Sequence, residues 1–152
     1  MNVTDAISKR RSIRQFKNKP IEESLIYEII EAGSLAPSSK NRQPWFFYII
    51  SNDSKRKEMI DIFEKAVTQR EKEGIKLFGV KGTINAMQNA PVTIFVTSPN
   101  KISPFENKSI EDMITILADA QSIGAAIQNI CQELALFGYV TFIMLIMNLL
   151  IG

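Results

Sequence analysis

Arg10-Arg11-Ser12-Ile13-Arg14-Gln15-Phe16 and Ala36-Pro37-Ser38-Ser39-Lys40-Asn41-Arg42-Gln43-Pro44-Trp45 are the two stretches on which the reading of this chain turns. The first places three guanidinium groups and a hydroxyl within five positions. A guanidinium offers a planar fork of donors that fits phosphate with two parallel, charge-assisted hydrogen bonds. The second is a polar loop rich in Ser, Asn and Gln, closed by Pro44 and the only Trp. Taken alone, a basic run such as Lys9 to Arg14 reads as a solvated face. Taken alone, a Ser/Asn/Pro cluster between ordered segments reads as a plain loop.

Composition narrows the function classes. The chain has 152 residues, enough for one domain with a real core. Its 45% hydrophobic and 22% charged content is that of an ordinary globular protein. A net charge of +2 is too small to argue for nucleic acid as a partner. There is no histidine, which removes Ser-His triads, Cys-His dyads and most zinc sites. The single cysteine, Cys131, excludes an internal disulfide, and its apolar helical neighbours read it as a buried structural thiol. Met1 to Arg14 has no apolar run of the kind a secretory signal needs, so a cytoplasmic location is the expectation. Neither G-x-G-x-x-G nor G-x-x-x-x-G-K-[ST] occurs among the seven glycines. A phosphate-bearing ligand would therefore be held mainly by side chains, with Arg10, Arg11 and Arg14 at hand.

Periodicity supplies the elements. Thr4 is read as the cap of a short helix through Lys9, and Ser12, Arg14 and Phe16 alternate with Ile13 and Gln15 as in extended chain. Pro20 opens a helix whose stripe is Ile21, Leu25, Ile29 and Ala32. Gly33 to Arg42 is loop, and Trp45 to Ile50 is a strand. Asn52 or Asp53 caps a helix to about Arg70 that carries Met59, Ile60, Phe63 and Val67 on one face. Glu71 to Gly82 reads as a charged, glycine-containing excursion, Val92 to Thr97 as a second strand, and Ser98 to Lys108 as loop. Ser109 caps the longest helix, Ile110 to about Leu136. Its small residues, Ala118, Ala120, Gly124, Ala125 and Ala126, suit close approach of another helix, either within the chain or across a dimer.

The two opening motifs, in this order and spacing, resemble the nitroreductase family of FMN-dependent oxidoreductases. The resemblance runs from about Ala6 to about Glu133, and Asp119 to Asn129 looks like the family's long central helix. It implies an α+β fold: a sheet flanked by helices around that long helix, incomplete at the C-terminus. It implies FMN held by Arg10, Arg11, Ser12 and Arg14 at its phosphate and ribityl groups. Pro37, Ser38, Ser39, Asn41 and Gln43 would contact flavin, some across a homodimer. NAD(P)H would be the electron donor and a nitroaromatic, quinone or similar small molecule the acceptor. No acid-base residue is strictly required of the protein, and no metal is called for.

From Leu134 to Gly152 there is no charged residue. That length reaches the lower range for a membrane-spanning helix, about 17 to 25 residues. A tail anchor, a buried apolar helix and an out-of-frame segment are the three readings. After its long helix the family continues with text like GSLWI-x-D-x-Y-Y-A-Y-x-E, which is missing here. Codons taken one frame over, from the third base of one residue and the first two of the next, permit WICDIYYAYNE from Phe137 to Asn148. The last step has no freedom, because Met147 followed by Asn148 forces GAA, glutamate. The chain is thus expected to divide into a partial nitroreductase-like domain, 1–136, and an apolar tail, 137–152, outside the ancestral frame. Two rival expectations stand beside the enzyme: a truncated, non-catalytic remnant and a tail-anchored membrane protein. The family also has a glycine-containing loop and a late basic residue near the flavin, and neither has a counterpart in this text.

Overall fold

A computed structural model describes residues 2–16, 19–99 and 109–137, and the backbone of a strand at Phe142–Leu145. The elements are α1 (Val3–Lys9), α2 (Glu23–Ser34), a 3-10 turn (Ser39–Asn41), β1 (Phe46–Ile50), α3 (Asp53–Lys72), α4 (Val80–Asn89), β2 (Thr93–Thr97), α5 (Ile110–Phe137) and β3 (Phe142–Leu145). The expected α+β architecture is present, with α5 the longest helix at 28 residues.

One sheet runs in the order β1-β2-β3. β1 and β2 are antiparallel, with Phe46 opposite Thr97 and Ile50 opposite Thr93. β2 and β3 are parallel, with Thr93 beside Phe142 and Val96 beside Leu145. A parallel neighbour needs a long crossover, and α5 lies within it. β2 is therefore the central strand, and its side chains are buried on both faces. Ile94 and Val96 join Leu25, Ile29, Ile123 and Ile130 in a core under α2 and α5. Phe95, one residue out of phase, joins Ile60, Val67, Ile84 and Met87 under α3 and α4. The period of two along a strand makes this division. Fully burying such a side chain contributes about 1.5–3 kcal/mol. The result is three layers, with the sheet in the middle.

Local chemistry sets the helix ends. Asn2, not Thr4, caps α1: its Oδ1 accepts from Asp5 N at 2.9 Å. Asn2 holds the cap because it sits one position outside the helix with its side-chain oxygen in reach of a free first-turn amide, whereas Thr4 lies inside the helix. α2 begins at Glu23 rather than at Pro20, since Glu22 takes extended backbone (φ −61°, ψ 138°). Asn52 caps α3 by accepting from Lys55 N at 3.1 Å. Ser109 caps α5 reciprocally: its Oγ accepts from Asp112 N at 3.1 Å and donates to Asp112 Oδ2 at 2.9 Å.

α4 departs most from the sequence reading, which took Glu71 to Gly82 as loop. The helix starts right after Gly79, whose φ of 76° makes the left-handed turn that a side chain would disfavour. It buries Ile84, Ala86 and Met87 against α3. That burial offsets the poor helix propensity of Gly82. The loop expected over Ser98 to Lys108 lies mostly outside the described residues.

The helical readings of the tail do not describe Phe142–Leu145, which pairs as a strand. The remainder of residues 138–152 lies outside the described residues. Among the described residues, no helix is long and apolar enough to cross a membrane.

Candidate functional site

The polar loop after α2 owes its place to a close helix contact. α2 packs on α5 where Gly33 meets Ile130. Asn129 Nδ2 then donates to Ala32 O at 3.0 Å, fixing the end of α2 to the same face. The chain leaves α2 at Leu35, bends at Ala36 and runs through the 3-10 turn Ser39–Asn41, which touches α5, before β1. Close approach of a helix was expected at the small residues around Gly124. Among the described residues of the chain the tightest glycine contact is that of Gly33 on α2; of the small residues on α5, Ala126 is fully buried and Gly124 faces open space.

Within the loop, Lys40, Asn41 and Gln43 all take left-handed backbone, with φ of 53°, 52° and 48°. For a residue with a side chain this conformation costs roughly 1–2 kcal/mol. It persists where surrounding contacts determine it, and such residues gather at ligand sites. Four contacts do so here. Arg42 Nη2 pairs with Asp119 Oδ1 at 2.6 Å. Ser39 N donates to Ser122 Oγ at 3.4 Å. Gln43 N donates to Ser38 Oγ at 3.0 Å. Gln43 Nε2 donates to Asn41 Oδ1 at 3.4 Å. Ser38, Ser39, Asn41 and Gln43 are thus brought together, while Pro37 stands exposed at the loop's entry. Asn41 and Gln43 are exposed as well, each with donors and acceptors to offer. Arg42 and Asp119 were not among the sequence candidates. An ion pair spanning 77 residues leaves no local signature.

The basic segment is arranged differently. α1 packs on α5, and the Arg10 cation acts on Cys131 of that helix. Burial pushes the Cys131 thiol up from its ordinary pKa, and Arg10 pulls it partly back. The cysteine is half-buried rather than fully buried. Arg11, Ser12 and Arg14 are exposed. Arg11 Nη1 donates to Ser8 O at 2.7 Å and Arg10 O at 2.8 Å, while Arg14 Nη1 reaches Ser12 O at 3.5 Å. The expected regular alternation is interrupted where Ile13 N donates to Arg11 O at 3.1 Å, a tight turn. Two of the three guanidinium groups therefore fold back on nearby carbonyls.

Both motifs are carried by α5, at separate points. The loop is fixed at Asp119 and Ser122, and the basic segment lies by Cys131. A rise of 1.5 Å per residue puts Asp119 and Cys131 roughly 18 Å apart along the helix. The amino-terminal turns of α5 also carry an exposed apolar stripe: Ile110, Met113, Ile114 and Leu117, each more than half exposed.

Comparison with known proteins places this arrangement in a family. The sequence profile described as "Nitroreductase family" matches residues 7–149. YfhC of Bacillus subtilis, which carries an NAD(P)H nitroreductase name, is 28% identical over 100 residues, covering 64% of this chain and 51% of YfhC. A BluB-like flavoprotein from Clostridium difficile superposes with a TM-score of 0.72 at 27% identity, covering 91% of this chain and 71% of that one. A nitroreductase-named protein from Desulfovibrio desulfuricans, solved in complex with FMN, gives a TM-score of 0.60 at 28% identity, covering 90% and 64%. The chain belongs to the nitroreductase family, a family of oxidoreductases with FMN-bound members. It spans about half the length of YfhC.

Proposed function

We propose that this chain is an FMN-dependent oxidoreductase, passing electrons from NAD(P)H to a nitroaromatic, quinone or similar acceptor. The observation that carries the reading is the polar loop. Its exposed Asn41 and Gln43 are held in a costly backbone geometry by contacts to α5. They would hydrogen-bond the polar edge of the flavin, while Pro37, Ser38 and Ser39 shape the approach. Arg10, Arg11, Ser12 and Arg14 would bind phosphate and ribityl groups, with Arg11 and Arg14 exchanging nearby carbonyls for phosphate oxygens. When bound, FMN supplies the two-electron chemistry, and the protein supplies binding, orientation and hydrogen bonds.

The separation of the two motifs along α5 supports a site shared by two subunits, with phosphate held by one and the ring contacted by the loop of the other. The stripe Ile110, Met113, Ile114 and Leu117 is a face that a homodimer would cover. A purified protein that is yellow, dimeric and oxidises NAD(P)H when given a quinone bears the proposal out. A colourless protein that binds no added FMN overturns it and favours the non-catalytic remnant.

The same proposal holds residues 1–136 to be the family domain and residues 137–152 to be read outside the ancestral frame. The codons of the gene decide this: any sequence that fails to spell the shifted string removes it.

A further inference from the structure

We infer that Asp119 and Ser122 of α5 are positioning residues for the loop at 38–43, acting on a ligand only through Ser39 and Arg42. The inference rests on the flavin reading for what the loop binds, and on geometry alone for what holds the loop.

The two α5 residues lie three apart, on one face of the helix. Their partners also lie three apart, at either end of the 3-10 turn Ser39–Asn41. Asp119 takes Arg42 among its partners, and Ser122 Oγ accepts from Ser39 N while donating to Ala118 O at 2.6 Å. Both α5 side chains are buried, Asp119 with only 6% of its side chain exposed. A carboxylate that has left water needs a charged partner with good geometry, so Arg42 is drawn in toward it. That pull fixes the backbone at residue 42, and the serine fixes it at residue 39. Lys40, Asn41 and Gln43, which bear the left-handed strain, lie between these two fixed points or beside them. The side chains of Asn41 and Gln43 are left exposed to a ligand while their backbone has no freedom to relax. A pair serving only global stability would have no reason to bracket the strained segment.

The test compares the full chain with Asp119→Asn, Ser122→Ala and the double variant Arg42→Gln/Asp119→Asn. The readouts are amide hydrogen exchange and FMN titration. In Asp119→Asn, amides 39–43 should exchange at least about tenfold faster, with β1 and β2 unchanged. FMN affinity should fall by about the same factor, because ordering the loop is then part of binding. If Asp119→Asn does not fold, Ser122→Ala removes only a hydroxyl and carries the exchange test. The double variant buries no lone charge and should fold with a loosened loop. Unchanged loop exchange in the folded variants overturns the inference. So does exchange that quickens equally in loop and sheet, because the pair then serves only overall stability. A loop that loosens while FMN affinity stays the same supports the positioning role and counts against flavin contact by the loop.

Discussion

Gly33 of α2 and Ile130 of α5 are in contact so close that a Cβ on Gly33 would lie 2.8 Å from both Cδ1 and Cγ1 of Ile130. Ile130 is fully buried, so it cannot swing out to solvent to make room. Gly33→Ala should therefore cost about 1–3 kcal/mol of stability by overpacking, despite the better helix propensity of alanine. Chemical denaturation measures it. Adding Ile130→Val, which removes Cδ1, should recover part of the loss, and a strictly additive double variant would argue against the contact.

Thr93 is completely buried on β2, and its Oγ1 has no hydrogen-bond partner among the described residues. An orphaned hydroxyl keeps its desolvation cost and returns nothing. Thr93→Val keeps the shape and removes the orphan. It should raise stability by about 1 kcal/mol, seen as a shifted denaturation midpoint with unchanged slope.

Cys131 should react slowly with iodoacetamide. Burial raises its pKa, so at pH 8 its thiolate fraction is below that of a free cysteine, and the rate should climb only at more alkaline pH. Arg10 works against burial by favouring the thiolate. Arg10→Ala should move the alkylation profile further toward high pH. An unchanged profile would mean that the cation does not act on this sulfur.

Arg14 is exposed, and its one hydrogen bond among the described residues is a long 3.5 Å contact to Ser12 O. Arg14→Ala should change folding stability by less than about 0.5 kcal/mol. Its effect should fall on FMN, weakening binding by about 1.5–3 kcal/mol if one charge-assisted phosphate contact is lost. Titration of flavin fluorescence separates the two quantities. Unchanged affinity would return the basic cluster to the role of a solvated face.

Both strands of the antiparallel pair were legible because Phe46 to Ile50 and Thr93 to Thr97 are dense in aromatic and β-branched residues. Ser109 gave the start of α5 for the same local reason, since cap and carboxylate sit three residues apart. α4 was not legible: Gly82 and Thr83 are poor local evidence for a helix, and its burial against α3 explains it. The polar residues of the loop could be named from their types. Their geometry could not, because neither lysine nor glutamine announces a left-handed backbone, and the ion pair that fixes them joins distant parts of the chain.

β2 has a neighbour on each side only once β3 is in place, and β3 comes after the whole of α5. A chain emerging from the ribosome therefore completes β1, β2 and most of its core while one edge of β2 remains bare. An uncovered apolar edge is a template for pairing with another chain. The order of synthesis thus makes the last described strand a cover for β2: crowded nascent chains paused before residue 142 would present β2 for pairing, and completing β3 moves the open edge one strand outward.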